Sequence, residues 1–137
     1  MRRRAKKGTL SWWKQELWKV FAIYIKERDK WCCVTCGRKA KGYGMGAGHY
    51  IAKGACSNEY YFSEENVHAQ CTYCNLALEG NRPKYREYII KKYGTKTLKD
   101  LETNYNKPTP WSIEDYQNKI KFYKDKTIKL TEKKLNG

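Results

Sequence analysis

Cys33-Val34-Thr35-Cys36 and Cys71-Thr72-Tyr73-Cys74 put two Cys-x-x-Cys pairs into one short chain, separated by residues 37–70. A two-residue spacer brings both sulfurs of a pair to one side of a tight turn, so each pair can grip one metal ion. Two such knuckles complete a tetrahedral thiolate site, the coordination that zinc favours. Four thiolates leave no open position, so a zinc held by Cys33, Cys36, Cys71 and Cys74 is structural. A redox pair needs only one Cys-x-x-Cys, usually in a thioredoxin-like setting, and accounts less well for two. Cys32 and Cys56 are left over. Cys32 adjoins a ligand and competes with Cys33, but the symmetric spacing favours Cys33. The stretch between the knuckles is longer than a simple zinc ribbon requires, and it carries both histidines of the chain, His49 and His68.

The chain has 137 residues and a formal net charge of +15. Its length suits one domain with helical extensions, and 40% hydrophobic with 15% aromatic residues supply a core. So large a positive excess points to a polyanion, nucleic acid first and an acidic membrane second, although a lysine-rich surface also serves solubility. No stretch is apolar enough to span a membrane. Met1-Arg2-Arg3-Arg4-Ala5-Lys6-Lys7 resembles the start of a signal peptide. Lys14 and Glu16 then interrupt what would have to be an apolar run. An intracellular, cytoplasmic protein is expected, where cysteines bind metal more often than they pair.

The chain divides into a mobile basic arm (1–10), a central domain (11–103), a linker with two prolines (104–111) and a basic C-terminal helix (112–137). Trp13, Leu17, Phe21, Tyr24 and Ile25 recur at helical spacing from Ser11 to about Asp29. The glycine cluster Gly42, Gly44, Gly46, Gly48 and Gly54 predicts turns and a short hairpin or loop. Cys71 to Glu79 is compatible with a helix that stops at Gly80-Asn81. A helix follows from Pro83 to Tyr93, with Tyr85, Tyr88, Ile89 and Tyr93 as its stripe and Gly94 as its end, then a short turn from Thr97 to Glu102. Ser112 and Asp115 form a capping-box signature. It opens a last helix with Ile113, Tyr116, Ile120, Tyr123, Thr127 and Leu130 on one face, able to pack on the first helix or to form a dimer contact.

Gly48-His49-Tyr50, Glu65-Asn66-Val67 and Cys71-x-x-Cys74-Asn75 together resemble an HNH (His-Me finger) nuclease motif laced through a four-cysteine zinc site. With Asn66-Val67-His68-Ala69-Gln70-Cys71, Gly80-Asn81 and Tyr85-Arg86, the string is most similar to the NinG/Rap recombination endonucleases of lambdoid phages, over about residues 13–105. The resemblance implies an α+β, mostly helical fold: a ββα-metal core on a four-cysteine structural zinc, flanked by N- and C-terminal helices. It also implies a metal-dependent endonuclease for branched DNA such as Holliday junctions and D-loops. Two positions depart from the commoner pattern. Asn75 stands where the last histidine usually does, and Gly48 where many relatives carry a metal-ligating Asp or His.

Phosphodiester hydrolysis needs a deprotonated water, a cation on the developing charge and help for the leaving oxygen. The resemblance makes His49 the general base, Asn66 a brace for its loop, and Asn75 an amide-oxygen ligand to one hard ion, Mg²⁺ or Mn²⁺. Glu79, His68, Glu64, Glu65 or water are candidates for the ligand that Gly48 does not supply. Arg82, Lys84 and Arg86 are candidate phosphate contacts, as is the Arg2–Arg4 arm. The bland alternatives are a backbone-bonded His49, turn-forming Asn66 and Asn75, a packed His68, and Tyr and Trp stripes that are core rather than stacking platforms. A non-catalytic four-cysteine module binding DNA or RNA through its basic surface fits the same charge and zinc spacing.

Overall fold

The computed structural model describes residues 4–136; Arg2 and Arg3 of the expected basic arm lie outside them. Helix α1 runs Leu10–Arg28, capped by Thr9, whose hydroxyl accepts from the Trp12 amide at 3.2 Å. The described part of the arm is not loose. The Ala5 amide donates to Gln15 Oε1 at 3.2 Å, and the Thr9 hydroxyl donates to the Lys6 carbonyl, folding residues 5–9 back onto the helix. Leu17, Phe21, Tyr24 and Ile25 form the buried stripe that the periodicity marked.

Two short strands, β1 (Met45–His49) and β2 (Val67–Cys71), form an antiparallel hairpin-like pair in which Gly48 faces His68 and Gly46 faces Gln70. Gly46 and Gly48 lie in this strand, whereas Gly42, Gly44 and Gly54 lie in single 3-10 turns (Gly42–Gly44 and Lys53–Ala55), the turns and short hairpin that the glycine cluster suggested. Side chains from elsewhere fill the space beside the two strand glycines. All five residues of β2 are buried, including His68, Asn66's neighbour Val67, and Gln70. A four-residue helix α2 (Asn58–Tyr61) lies between the strands. After β2 the chain makes a single π-type turn, Tyr73–Ala77, where the sequence suggested an α-helix to Glu79. The turn ends in a left-handed run, with Glu79 at φ 49°, Gly80 at 95° and Asn81 at 48°. Two non-glycine residues in that region mark a local conformation held by its surroundings.

Helix α3 (Arg82–Tyr93) has Pro83 in its first turn. Helix α4 (Thr95–Asn104) is longer than the expected single turn, because Leu98 and Leu101 bury against Tyr85 and Ile89 of α3. Residues 105–112 carry no helix or strand. Helix α5 (Ile113–Asn136) opens on a reciprocal capping box: the Asp115 amide donates to the Ser112 hydroxyl at 3.2 Å and the Ser112 amide to the Asp115 carboxylate at 2.8 Å. Its Tyr116 and Tyr123 pack on α1 in the largest buried cluster, while Ile113 stays exposed at the helix start. Lys134 reaches back to Glu27 at 2.9 Å. The C-terminal apolar stripe is therefore spent within the chain.

Candidate active site and metal centre

The two knuckles meet. One ligand atom from each of Cys33, Cys36, Cys71 and Cys74 lies within 4.8 Å of the others; three of the residues are buried and Cys36 is exposed. That donor set and spacing fit a tetrahedral zinc. Donors already point at the sulfurs: the Cys74 amide at Cys71 Sγ (3.4 Å) and Asn81 Nδ2 at Cys74 Sγ (3.6 Å). Burial pushes the Cys33 thiol up, but hydrogen bonds from the Thr35 hydroxyl and nearby backbone outweigh it and bring it down to about 6. Cys32 points away to the Gly37 carbonyl at 3.5 Å, which settles Cys33 as the clustered residue. Cys56 donates to the Ile51 carbonyl at 3.4 Å, and burial raises its thiol to about 11. Neither leftover cysteine joins the four-sulfur cluster.

Next to this cluster, β1, the π turn and the start of α3 enclose an open cleft of about 310 Å³, lined among others by His49, Asn75, Glu79, Arg82 and Lys53. Tertiary structure thus brings His49 and Asn75 to one place. His49 ends β1. Its ring stacks on Trp18 of α1 with centroids 5.1 Å apart, and its Nε2 lies 2.9 Å from the Tyr61 carbonyl. A carbonyl only accepts, so Nε2 carries the proton and Nδ1 is the basic nitrogen. An oriented imidazole with one nitrogen committed to the backbone is the arrangement a general base needs.

Asn66 does not reach the cleft. It is fully buried and clasps the residue two beyond the histidine: Oδ1 accepts from the Ile51 amide at 2.8 Å, and Nδ2 donates to the Ile51 and Tyr60 carbonyls at 3.3 and 3.0 Å. It braces the loop after His49.

Among the candidates for a further metal ligand, Glu79 alone lines the cleft. Glu64 is taken by Tyr24, Tyr123 and Lys126 between α1 and α5. Glu65 lies 3.5 Å from the Thr97 hydroxyl of α4. His68 is buried between Tyr85 and Tyr93, at 3.0 and 2.8 Å, and desolvation drives its imidazole down to about 2. None of these three side chains lines the cleft: Glu64 is held between α1 and α5, Glu65 faces α4 from an exposed position, and His68 takes the packed alternative. Arg82 borders the cleft, stacked over Tyr50 at 5.7 Å. Lys84 and Arg86 are exposed and face Glu87 and Glu102 at 3.9 and 3.8 Å. Sequence reasoning overlooked Trp18 and Tyr61, which position His49. It also overlooked the Arg28–Asp29 pair, which fastens α1 to β2 through the Val67 carbonyl (2.9 Å) and the Ala69 amide (2.8 Å). Nothing local in sequence marks any of them.

The family described as bacteriophage Lambda NinG protein matches residues 1–134. Protein ninG of Escherichia phage lambda is 34% identical over 119 residues, covering 81% of this chain and 57% of that protein. Protein ninG of Escherichia phage 933W is 33% identical over 119 residues, covering 81% and 58%. Protein ninG of Salmonella phage P22 is 32% identical over 123 residues, covering 84% and 59%. The chain therefore spans less than two-thirds of these relatives. No solved structure matches it significantly. Among the described residues no helix is long and apolar enough to cross a membrane.

Proposed function

The chain belongs to the NinG family of phage proteins, and from that premise we propose that it is a metal-dependent DNA endonuclease acting on branched recombination intermediates. The observation that carries this function is the cleft itself: a backbone-oriented His49 opens onto the same cavity as Asn75, Glu79 and Arg82. A strand ending in His49, a partner strand and a turn carrying Asn75 match the order of a ββα-metal nuclease core. The turn is π-type and includes Cys74, the second sulfur of the Cys71–Cys74 pair.

In this mechanism His49 Nδ1 takes the proton of the attacking water, while the Tyr61 carbonyl fixes the ring and disperses the charge that develops on it. Asn75 and Glu79 line the cleft and would hold a hard divalent ion, Mg²⁺ or Mn²⁺, through oxygen donors of the kind such ions take; bound there, it would supply positive charge against the scissile phosphate and the leaving oxygen. Arg82, at the cleft rim, receives a neighbouring phosphate. Asn66 holds the His49 loop still, and a zinc held by Cys33, Cys36, Cys71 and Cys74 would anchor the turn that presents Asn75. The net charge of +15 supplies the attraction to DNA.

The test is incubation of the zinc-loaded protein with four-way-junction and linear DNA, with Mg²⁺ or Mn²⁺ against EDTA. Metal-dependent nicking is expected, falling by about 100-fold or more in His49→Ala while zinc content and junction binding persist. Salt-sensitive binding with no product in the presence of metal would make the protein a basic zinc module instead.

A further inference from the structure

Gly48 leaves a gap in the ligand set, and another side chain occupies the space. A Cβ built on Gly48 would collide with Gln70 Oε1 and lie 3.1 Å from Asn75 Oδ1. A Cβ on Gly46 would lie 3.4 Å from Asn75 Nδ2. The two glycines of β1 thus admit the carboxamides of Gln70 and Asn75 to the position from which a residue at 48 would otherwise project.

Gln70 cannot be turned the other way. Its Nε2 donates to the Gly80 carbonyl at 2.7 Å, and a carbonyl has no hydrogen to give, so the nitrogen is assigned and Oε1 must face Gly48. Nε2 also meets the Thr35 hydroxyl at 3.2 Å, from the first zinc knuckle. Gln70 is fully buried, and Oε1 has no hydrogen-bond partner, one of only two such side-chain atoms among the described residues. A buried carbonyl oxygen without a partner destabilises the fold, because it has given up its hydrogen bonds to water and gained none. Such atoms are rare in folded proteins and call for an explanation. Here the orphan lies near a second amide oxygen, that of Asn75, and Asn75 lines a cleft that also holds a carboxylate, Glu79.

We propose that Gln70 Oε1 is a ligand, with Asn75 Oδ1, of a hard divalent cation bound beside Gly48, replacing a side chain that position 48 lacks. Amide oxygens are ordinary ligands of such ions, and two neutral donors leave the charge balance to Glu79 and to the substrate phosphate. The glycine is then a requirement of the site, since any side chain at 48 displaces the amide. Hydrogen bonding to Gly80 and Thr35 holds the ligand in place from outside the coordination sphere. The site rests on the proposed metal-dependent function for its use but on its own geometry for its existence. The competing arrangement is structural: Asn75 rotates its amide and donates to Gln70 Oε1, with no cation involved.

The experiment measures Mn²⁺ affinity of the zinc-loaded protein by electron paramagnetic resonance, without DNA and without turnover. Gln70→Met, close to isosteric, is expected to weaken Mn²⁺ binding by roughly tenfold or more with zinc content unchanged. Gly48→Asp combined with Gln70→Ala moves the oxygen ligand from one strand to the other. It is expected to bind Mn²⁺ more tightly than Gly48→Ala with Gln70→Ala. Equal affinity of Gln70→Met and the wild type overturns the proposal and leaves the nuclease function standing. If Gln70→Met loses its zinc, the pair of double variants decides, and equal affinity within that pair overturns the proposal. Gln70-dependent Mn²⁺ binding in a protein that cuts no DNA supports the site and removes the nuclease.

Discussion

The Tyr85 hydroxyl, on helix α3, donates a 2.7 Å hydrogen bond to the carbonyl of Gly48, the residue before His49. Because that proton is committed, the 3.0 Å contact between Tyr85 and His68 Nδ1 must have the histidine as donor, which leaves His68 Nε2 to accept from Tyr93 at 2.8 Å. Tyr93, His68, Tyr85 and Gly48 thus form one directional chain from the end of α3 to the strand that carries His49. It operates only while His68 is neutral.

That condition makes stability depend on pH with a definite sign. Burial, aided by the charges of Arg28 and Lys92, lowers folded His68 from 6.5 to about 2. Below pH 6.5 the unfolded chain therefore binds a proton that the folded chain refuses, and stability falls as the pH falls. Between pH 7 and pH 5 this group removes about 2 kcal/mol. His68→Gln, which keeps the zinc site, should lack that component. Denaturant unfolding of both proteins at the two pH values measures the difference.

Asn66 satisfies both backbone groups of Ile51. Asn66→Ala leaves the Ile51 amide unpaired and its carbonyl with only the weak Cys56 thiol donor, and should cost about 3 kcal/mol in chemical denaturation. Cys56→Ala, which removes only a long amide–sulfur contact and one weak sulfur donor, should cost far less.

The assignment of Cys33 over Cys32 separates cleanly in metal content. Cys33→Ser and Cys71→Ser should lose zinc by mass spectrometry, whereas Cys32→Ser, whose sulfur faces the Gly37 carbonyl, retains it. Chelation of wild-type zinc should loosen the π turn and with it Asn75, seen as faster amide exchange across residues 71–81.

Arg82 borders the cleft, whereas Lys84 and Arg86 sit near acidic partners. Arg82→Ala should lower the slope of log affinity for DNA against log salt by about 0.9, the value of one phosphate contact on duplex. Lys84→Ala and Arg86→Ala should lower it less, because Glu87 and Glu102 already partly offset those charges. A salt titration of junction binding checks all three.

The sequence by itself determined the parts governed by local rules. Cysteine spacing marked the four-sulfur cluster, 3.6-residue periodicity marked α1, α3 and α5, and Ser112 with Asp115 marked a real capping box. The family resemblance, rather than any local rule, pointed to His49 and Asn75, which line the cleft, and to Asn66, which braces the loop after His49. Tertiary structure alone decided which face each side chain of β2 presents, since its run of five buried residues has no alternation to read. That is why His68 could pass for a ligand in sequence yet is a neutral link between two tyrosines. Gln70, unremarkable in sequence, is the orphaned oxygen beside Asn75. Partners brought from far along the chain, Trp18 and Tyr61 on His49 and Gly80 on Gln70, leave no periodic trace. Their contacts depend on how helices dock on a two-stranded sheet, and no local propensity encodes that docking.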